Sequence, residues 1–173
     1  ILEGGLSPEA TVMSWRGTSG GISAALQKHD VIMTPGSGGL YLDHYQGDYK
    51  IEPVTIPSAP AYLSRTYNYE PVPDTIKSLG LEKHILGVQC NNWSEYMYTN
   101  AKMEYQMYPR SLALAEIAWS PAKKKNFTDF ARRVDANSVR LDERHVRYHI
   151  PLPEQPYGSC DKVVITKDTV VTF

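Results

Sequence analysis

The stretch ILGVQCNNWSEYM, residues 85–97, sets the reading of the whole chain. Its first four residues, Ile85-Leu86-Gly87-Val88, are apolar without alternation, as in a strand covered on both faces. With no turn signal, the run passes into Gln89, Cys90, Asn91, Asn92, Trp93, Ser94 and Glu95. A core strand that ends in polar groups around a tryptophan fits a parallel α/β sheet. Such sheets collect their chemistry at the carboxyl ends of the strands.

Two further short apolar runs support a parallel sheet. Residues 10–16, ATVMSWR, carry Val12 and Met13 and end on Ser14-Trp15-Arg16; Val31-Ile32-Met33 is stopped by Thr34-Pro35-Gly36. Between them, Ile22, Ala25, Leu26 and His29 fall on one face of a helix, behind Thr18-Ser19-Gly20-Gly21, whose hydroxyls suit a cap. Residues 36–58 are rich in Gly, Tyr, Asp and Pro and read as one long loop. A short helix is expected over Ser58 to Tyr67, with Pro60 in its first turn and Pro71 and Pro73 beyond its end. Asn100 caps a helix through about Met107, which Pro109 kinks or restarts. Leu112, Ala115 and Trp119 continue an apolar face. Asn126 opens another helix, with Asp129 placed as in a capping box; Phe127, Phe130, Ala131 and Val134 share one side and Leu141 closes its packing. Strands alternating with helices define one α/β unit over residues 1–150. Residues 151–158, PLPEQPYG, read as a linker, and Lys162 to Phe173 as two strands beginning a β-domain, so that 151–173 form a second region.

Composition excludes several classes. Lys and Arg number 18 against 19 Asp and Glu, for a net charge of -1, so no basic surface for nucleic acid is expected. No apolar run approaches the roughly 18 residues that cross a bilayer, so no membrane span is expected. The chain opens on Ile1-Leu2-Glu3 without Met and reads as an excised piece, with room for a targeting segment upstream. Cys90 and Cys160 form neither a disulfide framework nor a metal-site spacing and read as free thiols. His145 and His149 have i, i+4 spacing without an HExxH pattern, so no metal and no cofactor are expected. Twelve Tyr and 3 Trp stand against 3 Phe, a bias toward rings with a polar handle that stack on sugars, nucleobases or ordinary cores.

Five segments in order carry a stronger signal: VMSWRG (12–17), LYLDHYQ (40–46), YEPVPD (69–74), GVQCNNWSEYM (87–97) and YPRSLALAEIAWS (108–120). Together they resemble glycoside hydrolase family 20, the β-N-acetylhexosaminidases, over most of residues 1–145. The resemblance implies a (β/α)8 TIM barrel. Since a whole barrel takes at least roughly 200 residues, this chain would hold a partial one, strands six to eight with their helices. The family's catalytic Asp-Glu pair would lie upstream of residue 1. The implied chemistry is substrate-assisted: the sugar's own 2-acetamido carbonyl attacks the anomeric carbon. By motif match, Tyr41 donates to the acetamido carbonyl and Asp43 accepts from a sugar hydroxyl. Trp15 and Trp93 wall the pocket, and Glu95 binds the 4- or 6-hydroxyl. Implied partners are N-acetylhexosamine-containing glycans and the N-terminal part of the same enzyme. The implied location is extracytoplasmic, periplasmic or secreted. The chain alone is expected to be inactive. Most relatives have Gly and Leu where this chain has Cys90 and Asn92.

Blander readings stand beside these. Trp15 and Trp93 taken singly read as core residues, Tyr41 and Asp43 as turn residues, and Glu95 as a helix-start charge. Arg110 and Glu116 read as structural, in buried ion pairs, and His44 as a solvent-exposed loop residue. The sequons at Asn92 and Asn126 read as unused. A carbohydrate-binding or scaffold module without chemistry is the alternative from another class. A barrel enzyme acting on a phosphate ester lacks any Gly-rich cradle here.

Overall fold

The computed structural model describes residues 5–151. The linker beyond Pro151, the strands expected over 162–173, and Cys160 lie outside the described residues. The three apolar runs are β1 (Val12–Ser14), β2 (Val31–Met33) and β3 (Ile85–Val88), paired in parallel in the order β1-β2-β3. Val12 faces Val31, and Met33 faces Ser14 on one side and Val88 on the other. Pairing continues past the strand ends: Thr34 N donates to Ser14 O at 3.2 Å, Gly36 N to Trp15 O at 3.1 Å, and Gln89 N to Met33 O at 2.9 Å. The polar residues that follow each strand are thereby held almost as firmly as the strands themselves.

Helix α1 (Ser19–Leu26) packs on this sheet through Gly21, Ala24 and Ala25, with Ile22 at the margin of the core; of the face the periodicity favoured, Ala25 and Ile22 face inward and Leu26 does not. Leu26 is 56% exposed. The cause is close approach: a Cβ on Gly21 would lie 2.8 Å from the Met33 methyl. The expected hydroxyl cap is absent, since Thr18 makes no capping bond, and Ser14 Oγ accepts from Gly21 N at 2.8 Å instead. His29 is buried but lies beyond the helix end. Ala24, Ala25, Val31 and Met33 form one core cluster with Ile76, which comes from α3 (Asp74–Ser78), a helix not expected from the sequence.

A second cluster joins α2 (Leu63–Asn68), α5 (Arg110–Trp119) and α6 (Phe127–Glu143) through Leu63, Tyr67, Ala113 and Phe130. The Tyr67 ring stacks on Phe130 at 4.6 Å, and its hydroxyl accepts from Asn126 N at 2.6 Å. Asn126 Oδ1 caps α6 by accepting from Asp129 N at 3.1 Å. No reciprocal capping box forms, because the Asp129 carboxylate pairs with Arg132 and Arg133. Leu141 is buried at the far end of α6, as expected. Helix α4 (Asn100–Met107) starts one residue earlier than its expected cap, with Thr99 Oγ1 accepting from Lys102 N at 3.1 Å. Trp119 departs from the sequence reading: α5 buries Ala113 and Ile117, and Trp119 is 88% exposed on an open groove of about 560 Å³ between α5 and α6. Glu116 meets Arg133 across that groove at 2.6 Å, an ion pair at the surface, not in the core.

Candidate functional site

The segment after β2 is more ordered than a long loop. It begins with a tight 3-10 turn, Gly36–Gly38. Gly39 then takes φ +76°, the left-handed region that favours glycine, and a Cβ there would press on Thr66 N at 3.1 Å. This turn sends Leu40 into the core and returns the chain alongside β3. Leu42 N donates to Asn91 O at 2.7 Å and Asn91 N to Leu40 O at 2.9 Å, a parallel bridge between Tyr41 and Asn91. The motifs at 40–46 and 87–97 therefore meet, although 50 positions of sequence separate Tyr41 from Asn91.

The Tyr41 ring packs against Gly36, where a Cβ would come within 3.2 Å of it. Burial pushes its phenol above the ordinary range; a side-chain hydrogen bond with Asn91 opposes this, and the Asp43 charge adds to it. The hydroxyl is thus a proton donor at neutral pH. Asp43 is 3% exposed. Burial raises its carboxyl above the usual range, partly offset by its own amide, by His44 and by the Trp93 amide, while Glu95 pushes it further up. Asp43 Oδ1 is buried and has no hydrogen-bond partner among the described residues. An unmet acceptor of this kind costs about 1–3 kcal/mol or more, and such costs gather at functional sites.

Trp93 and Glu95 are both exposed, Trp93 by 53%, which removes the core reading for this tryptophan. Trp15 is 49% exposed, with the Arg16 guanidinium 4.6 Å above its ring. Its carbonyl holds the Gly36 amide on which Tyr41 rests. Tyr41, Asp43, Trp93 and Glu95 are thus linked by backbone bonding and by charge. Trp15 joins them through the main chain. A hollow of about 220 Å³ is lined by Asn92, Ser94, Met97 and Tyr98 among others, and none of Trp15, Tyr41, Asp43, Trp93 and Glu95 lines it.

Around these residues, Glu52 and Tyr105 escaped the sequence reading, and His44 and Arg110 depart from theirs. His44 is half-buried and packs edge-on to Tyr41 at 5.5 Å; burial lowers its pKa, with Asp43 opposing and Arg110 and Arg65 adding to the effect. Glu52 accepts from Tyr105 Oη at 2.8 Å and from His149 Nε2 at 2.9 Å. His149 therefore serves a carboxylate, with His145 exposed and set at φ +56° after α6. Arg110 is fully buried without an ion pair: its guanidinium donates to the carbonyls of Leu42, His44, Ala61 and Gln106. Burial pulls it down to about 10, so it stays cationic at neutral pH. Burial pushes the Cys90 thiol up to about 12, so it is protonated and unreactive. Among the described residues no group of acidic, His and Cys side chains is placed to hold a metal, and no helix is long and apolar enough to cross a membrane.

Residues 1–122 match the model of the glycosyl hydrolase family 20 catalytic domain. Over its whole length the chain is 58% identical to a beta-hexosaminidase of Porphyromonas gingivalis, of which it covers 22%. It is 36% identical over 110 residues to a beta-hexosaminidase of Vibrio furnissii, covering 64% of this chain and 18% of that protein. The chain thus spans about a fifth of the length of these relatives. Among solved structures, a family 20 exo-β-N-acetylglucosaminidase from Vibrio harveyi, in complex with N-acetylglucosamine, superposes with a TM-score of 0.78 at 29% identity. That match covers 84% of this chain and 23% of the other, and implies a TIM-barrel-type domain. A parallel sheet with the motifs at 12–17 and 87–97 on its strand ends, and the motif at 40–46 bridged to the latter, agrees with this, and the chain belongs to glycosyl hydrolase family 20, with residues 1–122 matching that family's catalytic domain.

Proposed function

We propose that this chain supplies the C-terminal part of the catalytic barrel of a β-N-acetylhexosaminidase, with β1 to β3 as barrel strands six to eight. The whole enzyme would remove terminal β-linked N-acetylglucosamine or N-acetylgalactosamine from glycans, outside the cytoplasm. It would retain anomeric configuration, since the substrate's acetamido oxygen displaces the leaving group and water then displaces that oxygen. The general acid and the Asp that orients the acetamido group would come from the N-terminal part of the same enzyme.

The observation that carries this reading is the pairing of a protonated phenol with a buried, partnerless carboxylate oxygen. Tyr41 would donate to the acetamido carbonyl oxygen and steady it for attack. A neutral, rigid donor suits that task. Asp43 would accept from a sugar hydroxyl, meeting the unmet acceptor. Glu95 would take the 4- or 6-hydroxyl, and the exposed faces of Trp93 and Trp15 would stack on the pyranose ring and close the pocket wall.

Tyr41→Phe in the full-length enzyme tests the reading with an aryl N-acetyl-β-glucosaminide. Loss of one donor to a developing charge is expected to lower kcat about 10²-fold, with a much smaller change in KM. Unchanged kcat removes Tyr41 from its role. On the same reading the 173-residue chain alone turns over none of this substrate, and clear turnover would refute that division of labour.

A further inference from the structure

Three consecutive carbonyls, those of Leu42, Asp43 and His44, are each bound by a side chain from elsewhere in the fold. The Arg110 guanidinium takes Leu42 O and His44 O; Thr55 Oγ1 donates to Asp43 O. The same guanidinium reaches Ala61 O at 3.2 Å and Gln106 O at 2.9 Å, joining the far end of the loop and the end of α4. The amides are used as well: Leu42 N on Asn91 O and His44 N on Tyr41 O. Leu42 N, Leu42 O, Asp43 O and His44 O are thus bound by Asn91, Arg110 and Thr55, all outside the segment, so it has little freedom to shift.

Arg110 sits where a cation is costly. It is fully buried and has no carboxylate within ion-pair distance among the described residues. It is also the first residue of α5, at the positive end of that helix's dipole. A Leu or Met of similar volume would fill the space without desolvating a charge. What an apolar side chain could not do is grip two carbonyls on either side of Asp43 at once. A planar fork with five donors can.

We infer that Arg110 and Thr55 are positioning residues, a two-sided clamp that fixes the main chain at 42–44 and so sets where the Tyr41 hydroxyl and the Asp43 carboxylate stand. This rests on the roles proposed above for Tyr41 and Asp43. Neither clamp residue touches the sugar in this scheme. Both act through the peptide groups that carry the two site residues.

The test uses the full-length enzyme with Arg110→Lys and Thr55→Val. Lysine keeps the charge but loses the fork; valine keeps the shape but loses the donor. Misplacement of a catalytic group by about 1 Å can cost about 10²-fold in rate. Arg110→Lys is therefore expected to lower kcat by about 10- to 100-fold, and Thr55→Val by about 10-fold, with KM within about 3-fold of wild type. A role confined to stability would instead lower Tm and leave kcat per folded molecule unchanged; that result in both variants overturns the clamp. If Arg110→Lys does not fold, Thr55→Val decides alone by the same criterion. If the wild type itself shows no turnover, the functional reading fails separately. The clamp is then judged by hydrogen exchange at the Leu42 and His44 amides in Thr55→Val: faster exchange than wild type supports it, and equal exchange overturns it.

Discussion

Replacing Glu52 by Gln tests whether the segment from 43 to 61 is held from within. The Glu52 side chain is 6% exposed, and its two oxygens have separate donors, Tyr105 Oη at 2.8 Å and His149 Nε2 at 2.9 Å. Burial raises its pKa, but the bonds from His149 and Tyr105 outweigh that, and the carboxyl lies below its ordinary 4.5. Glutamine has nearly the same shape and can accept only one of the two bonds; its amide N–H groups then face a second donor. Hydrogen bonds to a charged acceptor contribute about 1.5–3 kcal/mol each, so losing one and weakening the other costs about 2–4 kcal/mol. For a protein of this size that corresponds to a Tm lowered by about 5–15 °C. Urea unfolding followed by tryptophan fluorescence measures it. The pH dependence sharpens the test. A carboxyl whose folded pKa is depressed contributes stability that is complete above its unfolded value, near 4.5, and is lost as pH falls through the folded value. The gap between wild type and Glu52→Gln is therefore at its full width above pH 4.5 and narrows as pH falls below it. A gap under about 0.5 kcal/mol at pH 7, or one that never narrows as pH falls below 4.5, refutes the reasoning.

Two more outcomes follow from the packing. Asn92 Oδ1 is buried without a partner, beside Met97 and Met103, so Asn92→Leu should stabilise the protein by about 1–3 kcal/mol, read as a raised urea midpoint; a lowered midpoint counts against it. Phe130, 2% exposed and stacked on Tyr67, should cost about 3–5 kcal/mol when cut to Ala, and a loss below about 1 kcal/mol would show that the second cluster is not a core.

The strands were legible because each is a short, unbroken apolar run, and α6 because its apolar residues recur at helical spacing behind a capping Asn. Helix α1 was legible as a helix, but only Ala25 and Ile22 of its packing face were. Close approach to the sheet selects Gly21 and Ala24, which carry no hydrophobic signal. Helix α3 has five residues between Pro73 and Leu79, too few for a period to show. The site residues emerged from motif resemblance, and periodicity had no part in finding them. The segment over 36–58 reads as solvated because it is polar, whereas Asp43, Gln46 and Thr55 in it are buried. Gln46 pairs with α4, the carbonyls of Leu42 and His44 with Arg110 of α5, and Glu52 with His149 after α6, and no local pattern records a pairing over such distances. Arg110 shows the limit most clearly. A structural role is readable from its apolar helix, but the sequence offers carboxylates as its partners, and the fold supplies carbonyls.

That choice of partners bears on how such a site can change over generations. Arg110 recognises atoms that every residue possesses, so the grip is indifferent to which side chains occupy positions 42, 44 and 61. Substitutions there can retune the cavity's lining while the path of the polypeptide stays put, so that novelty in ligand preference need not be accompanied by collapse of the loop.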